Sequence, residues 1–250
     1  MHRLLVTSVC LVASAAAQSG IHPPQLGFAG DAGGTLRPVY GVAGNFILGQ
    51  PVKEKVISEA FSGSLGLLKT DSTLVAFGKR GQVLATMEAA QGPALFGFSP
   101  DGLTGLAYLP SSNKLVEWKA GQFVTIPFYS ELGKVLAVFL PSAFEASMIV
   151  QRQDGIWEVS LASQRALVEV TAPLLGLPSG LLLFSDARGI VLRNPDGSEV
   201  HIPAQLPARF SLQQMDTDWV QLSDLAGSRR YAIRVLPGRE GIYELPEAHR

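Results

Sequence analysis

The chain has almost no cysteine, since Cys10 is the single one among its 250 residues. One cysteine cannot close a disulfide bond within the chain, so stability must come from the apolar core. Charged residues are also scarce, at 16% against roughly 25% in typical soluble domains. The formal net charge of −1 leaves no basic excess of the kind that nucleic-acid-binding domains carry. We therefore predict no nucleic-acid partner.

Metal-binding patterns are missing as well. Beyond the first few residues the histidines are His22, His201 and His249, and no two of them have the helical spacing of a zinc site. We predict that His201 faces solvent from an outer strand. The acidic run at Asp216 and Asp218 lacks the regular oxygen ligands of a calcium loop and predicts a β-turn, as does the run 196–199. If a single cation binds, we expect it at Asp216 and Asp218.

Patterns of nucleophilic catalysis are equally absent. No G-x-S-x-G occurs, and the nearest run, 176–180, has the wrong spacing and places proline directly before Ser179. No glycine-rich loop is followed by a helix that could hold a phosphate. Scattered carboxylates could still converge in space; examples are Glu59, Glu117, Glu158 and Asp186. We predict no catalytic, cofactor-binding or metal-binding residue from the sequence, and no cofactor.

The N-terminus has the three parts of a secretory signal peptide. A basic start is followed by the apolar run 4–13 and by small residues to Ala17, which predicts cleavage before Gln18 or, as a second option, after Ala15. The run is shorter than the ~20 residues of a membrane span. Cys10 lies inside the run, where lipidation is not expected. We predict an exported chain, periplasmic or secreted, with no membrane span after cleavage of residues 1–17.

After the signal peptide, the composition predicts a short leader and one large domain. Residues 18–35 contain Pro23, Pro24 and several glycines, which predicts an exposed leader with little regular structure. Residues 36–49 predict one or two short strands. We expect residues 36–250 to form a single all-β domain.

A repeat begins at about residue 53. A polar turn precedes a short apolar strand at five places: 79–82, 119–122, 161–164, 194–197 and 237–240. Just before each turn, apolar residues alternate in pairs, which places each pair on one face of a strand: Val75 and Phe77, Val116 and Trp118, Trp157 and Val159, Ile190 and Leu192, Ile233 and Val235. A period of about 40 residues with four strands per unit is typical of propeller blades.

These units predict a β-propeller of about five four-stranded blades, or six. The blades are predicted at 53–88, 92–128, 134–171, 173–204 and 208–246. The strands at 36–49 are left over. They would either complete the last blade and so close the ring, or form half of a sixth blade.

The run Phe98-Ser99-Pro100-Asp101-Gly102, continuing to Tyr108, resembles the F-S-P-D-G-x-x-x-L-A-Y motif of bacterial WD40-like propellers of the TolB and YVTN type. Proline sets φ of the turn, aspartate caps it and glycine accepts a positive φ. The resemblance covers one blade strongly and about 190 residues loosely. It implies a propeller fold and an exported location, and it implies no catalytic residue.

The aromatic residues offer few ligand candidates. Trp118, Trp157 and Trp219 lie on predicted strands, where large aromatics are expected to fill the space between blades. Phe128-Tyr129 and Tyr40 lie nearer predicted loops and are better placed to meet a ligand.

Two functions remain open from the sequence. The first is an exported, non-enzymatic binding or scaffolding propeller that recognises an envelope or extracellular protein, peptide or glycan. The alternative is an exported propeller hydrolase, lactonase-like or glycan-cleaving, with its active site at the channel mouth. The alternative predicts acidic residues at the same inner-strand position of several blades, whereas the predicted inner strands carry no acid apart from Glu59. The sequence therefore favours binding. Three or more carboxylates around one channel mouth would contradict a function in binding alone.

Overall fold

The computed structural model describes residues 23–127, 133–142, 145–160, 163–227 and 229–247. Within these residues the fold is an all-β propeller of six antiparallel blades. The first, which we call the N-terminal blade, has three strands in the order β1-β2-β3. They are β1 (Gln25–Gly30), β2 (Leu36–Val42) and β3 (Asn45–Leu48).

Blades 1 to 5 each have four strands, paired in chain order. Blade 1 comprises β4 (Ser58–Ser62), β5 (Leu65–Lys69), β6 (Thr73–Gly78) and β7 (Val83–Glu88). Blade 2 comprises β8 (Leu95–Phe98), β9 (Gly105–Leu109), β10 (Lys114–Lys119) and β11 (Gln122–Ile126). Blade 3 comprises β12 (Lys134–Ser142), β13 (Glu145–Arg152), β14 (Gly155–Ser160) and β15 (Gln164–Leu167).

Blade 4 comprises β16 (Leu175–Gly176), β17 (Leu182–Asp186), β18 (Gly189–Arg193) and β19 (Glu199–Pro203). Blade 5 comprises β20 (Phe210–Asp216), β21 (Trp219–Asp224), β22 (Arg230–Arg234) and β23 (Gly241–Glu244). A 3-10 turn lies at Pro178–Gly180. Among the described residues, no helix has the length and apolar character needed to cross a membrane.

The blades form a closed ring because an apolar cluster fills each gap between neighbours. Middle strands are covered on both faces, so alternate residues of β6 enter different clusters. Leu74 and Ala76 pack against blade 2, and Val75 and Phe77 pack against the N-terminal blade. Each of the five alternating pairs predicted from the sequence shares one cluster. The predicted blade limits agree with the observed sheets to within a few residues.

The N-terminal blade closes the ring between blades 5 and 1. Phe28 of β1 packs on Phe61 and Phe77 of blade 1, while Ala29 joins the cluster that contains Trp219 of blade 5. Strand β1 lies inside the segment for which the composition predicts an exposed leader, and Phe28 and Ala29 are buried. The structure therefore corrects that expectation for residues 25–30. The glycines that suggested a loop are required there by close packing, since a Cβ on Gly27 would lie 2.2 Å from the carbonyl oxygen of Met215.

Among the described residues, the N-terminal blade has no counterpart of the innermost strand of the other blades. Strand β4 contacts β8 on one side and β20 on the other, so blades 1 and 5 meet at the centre of the ring. Asp216 at the end of β20 accepts a hydrogen bond from the N–H of Gly63, 2.7 Å away, just after β4. Strand β1 packs on the outer side of this junction, with Gly27 against Met215 and Gly30 against Glu59. It thus runs antiparallel to β4 and β20, as the second strand of each blade does.

The F-S-P-D-G motif forms the turn between β8 and β9, and its side chains stabilise that turn. Asp101 Oδ1 accepts hydrogen bonds from the hydroxyl of Ser99 and from the N–H of Leu103, at 2.5 Å and 2.9 Å. Gly102 has φ +66°, a conformation that glycine adopts without strain. Ser99 is fully buried, and its Oγ accepts a hydrogen bond from the N–H of Thr104 at 3.0 Å. The local chemistry expected from the sequence is confirmed.

We expect Ser99→Ala to lower the free energy of unfolding by about 1–3 kcal/mol, because the buried N–H of Thr104 loses its hydroxyl partner. Ser198→Ala is the matched control, because its hydroxyl also donates to an aspartate two residues away, Asp196, but in an exposed turn. Urea denaturation of both variants measures the difference. Equal losses in the two variants would contradict a special role for the buried hydroxyl.

Candidate binding cleft

A cleft of about 780 Å³ opens at one end of the ring, at the junction that the N-terminal blade closes. Its wall is formed by the β1–β2 turn, the first residues of β4 and β20, and the β21–β22 turn. The Gly63–Asp216 hydrogen bond lies at the opposite ends of β4 and β20. A fourth, innermost strand of the N-terminal blade, parallel to β4 and β20, would begin at this cleft.

Nine of the twenty residues that line the cleft carry charged or amide side chains. Four carboxylates line it: Asp31, Glu59, Asp224 and Glu247. Three guanidinium groups join them: Arg37, Arg229 and Arg230. The sequence placed only Glu59 of these carboxylates on a predicted inner strand and left open whether scattered carboxylates converge in space. Asp31 lies in the β1–β2 turn, Asp224 is the last residue of β21, and Glu247 belongs to the C-terminal segment.

Three buried side chains converge on the main chain of Gly30 at the end of β1. Glu59 accepts a hydrogen bond from the N–H of Gly30. The Nε2 of Gln221 and the Nη1 of Arg230 donate to the carbonyl oxygen of Gly30, at 2.9 Å and 3.1 Å. These side chains satisfy main-chain groups that a neighbouring strand would otherwise bond. A Cβ on Gly30 would lie 2.2 Å from Glu59 Oε1, so this contact requires glycine.

Burial changes the titration of Glu59. Loss of hydration raises the pKa of its carboxyl group from 4.5 to about 7. The negative charge of Asp31 raises this pKa further, and the hydrogen bond from Gly30 lowers it. Glu59 therefore exchanges its proton near neutral pH, which is common at binding and catalytic sites.

The buried guanidinium group of Arg230 bonds main-chain carbonyl groups. Besides Gly30, it donates through Nη2 to the carbonyl oxygen of Pro246 at 3.1 Å. Burial lowers the pKa of Arg230, and the positive charge of Arg37 lowers it further. The negative charges of Asp31 and Glu247 raise this pKa. The cleft thus holds two guanidinium groups that repel each other.

Two buried polar atoms of the lining have no hydrogen-bond partner among the described residues. They are Oε1 of Gln221, an acceptor, and Nε of Arg37, a donor. The amide nitrogen of Gln221 already donates to Gly30 and to the hydroxyl of Ser223, which identifies Oε1 as the unpaired atom. Buried polar atoms without partners are unfavourable, and a bound ligand is one way to satisfy them.

A second groove continues from the cleft along the same end of the ring. Leu225, with 58% of its surface exposed, borders both. The groove has a volume of about 500 Å³ and lies between blades 4 and 5. Its apolar lining comes from Pro173, Leu206, Pro207 and Phe210.

The other residues predicted from the sequence lie away from the cleft. His201 is half-exposed on β19, the outer strand of blade 4, as predicted, with its ring nitrogens near Asp186 and Glu199. Asp216 bonds Gly63 and belongs to the ring closure. No group of three or more His, Cys, Asp or Glu side chains suited to a metal ion occurs in the part of the chain that the structure describes.

The tryptophans follow the prediction with one difference. Trp118 and Trp219 are buried between blades, whereas Trp157 is half-exposed and its indole N–H donates to Asp154 at 3.1 Å. Tyr40 is half-buried on β2. The predicted signal peptide at residues 1–17 lies outside the described residues, as do His22, Phe128-Tyr129 and His249.

Comparison with known proteins gives a fold and no family. No protein-family model matches the chain, and no curated protein sequence matches it. Among solved structures, a chain of a nidogen/laminin complex superposes with a TM-score of 0.58 at 14% identity, covering 88% of this chain and 98% of that one. TolB from Acinetobacter baumannii superposes with a TM-score of 0.53 at 12% identity, covering 88% and 66%.

A third similar structure is PorZ, a bacterial surface component of the type-IX secretion system of Porphyromonas gingivalis. It superposes with a TM-score of 0.50 at 13% identity, covering 90% of this chain and 33% of that one. At such low identity, similarity of structure does not carry function from one protein to another. These similarities agree with the closed ring described above, and on both grounds the chain has the β-propeller fold.

Proposed function

We propose that this chain is an exported, non-enzymatic binding propeller that holds its ligand in the cleft beside Gly30. The observation that carries this proposal is the buried carboxyl group of Glu59 at the base of a large polar cleft. A glutamine in its place would accept the same hydrogen bond from Gly30 without burying an ionisable group. An ionisable side chain held at such a cost to stability is typical of a functional site.

The exported location rests on the sequence of residues 1–17 and on the resemblance of the F-S-P-D-G motif. A binding role also fits the fold, since one of the similar propellers belongs to a complex of two proteins, nidogen and laminin. The ligand classes that we consider are a protein, a peptide and a glycan of the cell envelope or exterior.

The test uses a photoactivatable amino acid placed at one of two exposed leucines. Leu225 borders the cleft, and Leu103 lies in the β8–β9 turn at the opposite end of the ring. Both side chains are more than half exposed, so they form a matched pair. After irradiation in cells that express the full chain, the intact mass of the purified propeller reports any covalent adduct, protein or small molecule.

We expect a defined adduct from position 225 and none from position 103, because the ligand enters the cleft from one end of the ring. A defined adduct from position 103 alone, or no adduct from either position, would contradict binding at the cleft. The tagged chain should also fractionate with the envelope or the medium, and recovery in the cytoplasm as the uncleaved precursor would contradict export.

A hydrolase is the second candidate, and two observations favour it. Four carboxylates line one cleft, and Glu59 exchanges its proton near neutral pH, as a general acid does. Against it, the hydrogen bond from Gly30 favours the ionised form of Glu59, whereas a general acid must hold its proton. Turnover of a lactone or glycoside that disappears in Glu59→Gln would establish this alternative.

A further inference from the structure

We propose that the ligand of the cleft is a short peptide of two or three residues with both termini free. Its ammonium group would lie by Glu59, Asp31 and Oε1 of Gln221, and its carboxylate by Arg37 and Arg230. This inference rests on the proposed binding function and specifies the ligand class of the same site.

The acceptor side of the cleft suits an ammonium group. Glu59 and Asp31 carry like charges that repel each other, and burial adds to the unfavourable energy of the ionised Glu59. Oε1 of Gln221, on a side chain that is 2% exposed, is an unpaired acceptor in the same wall. A primary ammonium group has three N–H donors and a positive charge, so it can serve both carboxylates and the amide oxygen.

The donor side of the cleft suits a carboxylate. Arg37 and Arg230 repel each other, and their described hydrogen bonds go to the main-chain carbonyl groups of Gly49, Gly30 and Pro246. Nε of Arg37 is a buried donor without a partner. A carboxylate accepts several hydrogen bonds from guanidinium groups and offsets their charge.

The size of the cleft and the groove beyond it favour a peptide over a free amino acid. A volume of about 780 Å³ lies within the range of pockets for drug-sized ligands and exceeds what one amino acid fills. The groove beyond Leu225 offers apolar surface from Phe210, Leu206 and two prolines for a side chain of the ligand. Together the two spaces match a compact zwitterion that carries an apolar group.

A glycan matches these observations less well. Neutral hydroxyl groups would offset neither the repulsion between Glu59 and Asp31 nor that between Arg37 and Arg230. No aromatic side chain, on which a sugar ring could pack, is among the described residues that line the cleft.

The experiment presents the purified chain with three tripeptide libraries of the same sequences: with free termini, N-acetylated and C-amidated. Bound peptides are separated with the protein by size exclusion and identified by mass spectrometry. We expect peptides with an apolar residue to be retained from the free library alone. For a retained peptide, calorimetry should show that either block weakens affinity about 30-fold or more, because a buried charge on the protein then loses its partner.

Two conservative variants test the assignment of each terminus. In Glu59→Gln, which keeps an acceptor for Gly30, acetylation of the peptide should cause a much smaller loss of affinity than in the parent chain. In Arg37→Lys, which keeps the positive charge but removes Nε, amidation should cause a smaller loss. For each variant, the affinity for the free peptide is compared with the affinity for the blocked peptide. A change in the stability of the variant affects both affinities and does not produce this pattern.

The outcomes separate this inference from the function on which it rests. Failure of the free library to bind, or equal retention of blocked and free peptides, overturns the peptide assignment. If position 225 still gives a defined adduct, the binding function stands and another ligand class occupies the cleft. If neither adduct nor peptide is found, both proposals fail.

Discussion

Replacing Phe28 by alanine is expected to lower the free energy of unfolding by about 3–5 kcal/mol, which is the usual loss for a buried phenylalanine. Phe28 is 4% exposed, stacks on Phe61 with ring centroids 4.6 Å apart, and meets Phe77 edge-on at 5.8 Å. Its loss leaves a cavity where the N-terminal blade meets blade 1. For a chain of this length the melting temperature should fall by roughly 6–20 °C.

Phe123→Ala is the control for this prediction. Phe123 is half-buried on β11 and packs on Trp118, away from the ring closure. We expect a smaller loss there, measured by thermal and urea unfolding of both variants. If the two variants lost the same stability, the N-terminal blade would not be the element that holds the ring closed.

The second large effect is a gain of stability in Glu59→Gln that depends on pH. The carboxyl group titrates at about 7 in the folded chain and near its ordinary 4.5 when unfolded. Between these values the folded state keeps a proton that the unfolded state has released, so the stability of the parent chain falls as pH rises. Above pH 7 the penalty is complete and amounts to about 3 kcal/mol. Glutamine has no such penalty.

We therefore expect Glu59→Gln to be more stable than the parent chain by about 3 kcal/mol at pH 8. The difference should shrink as pH is lowered towards 4.5, because both chains then carry a neutral group at this position. Urea denaturation across this pH range measures it. The control is Glu88→Gln at the exposed end of β7, which should show no comparable trend. A stability difference that does not change with pH would contradict a buried, protonating Glu59.

The blade limits could be predicted because they are determined by local chemistry. Polar turns precede the fourth strands, and pairs such as Val75 and Phe77 mark the third strands, so the sequence period carries the fold. Strand β1 was missed because it contains several glycines, which are typical of loops. In the structure these glycines allow close contact between blades. Whether residues 36–49 closed the ring could not be decided from local patterns, since their partners are in blades 5 and 1.

The cleft could be predicted only in part. Glu59 stood out in the sequence as the one acid on a predicted inner strand. Gln221 lies between apolar residues on β21, where a buried side chain is expected. A polar residue at such a position is a signal in the sequence, and the sequence analysis did not use it. Arg230 and Asp31 could not be assigned, because what makes them neighbours is the closure of the whole ring.

The contacts that close the ring also constrain the order in which the chain folds. The hydrogen bonds from Gln221 and Arg230 to Gly30 join residues 191 and 200 positions apart. Contacts so distant along the chain have a high entropic cost of loop closure, so they form after the local hairpins. Strand β1 is made first by the ribosome, yet it has its full set of neighbours only when β20 to β22 have been synthesised. A nascent propeller therefore remains an open arc until nearly its last strand.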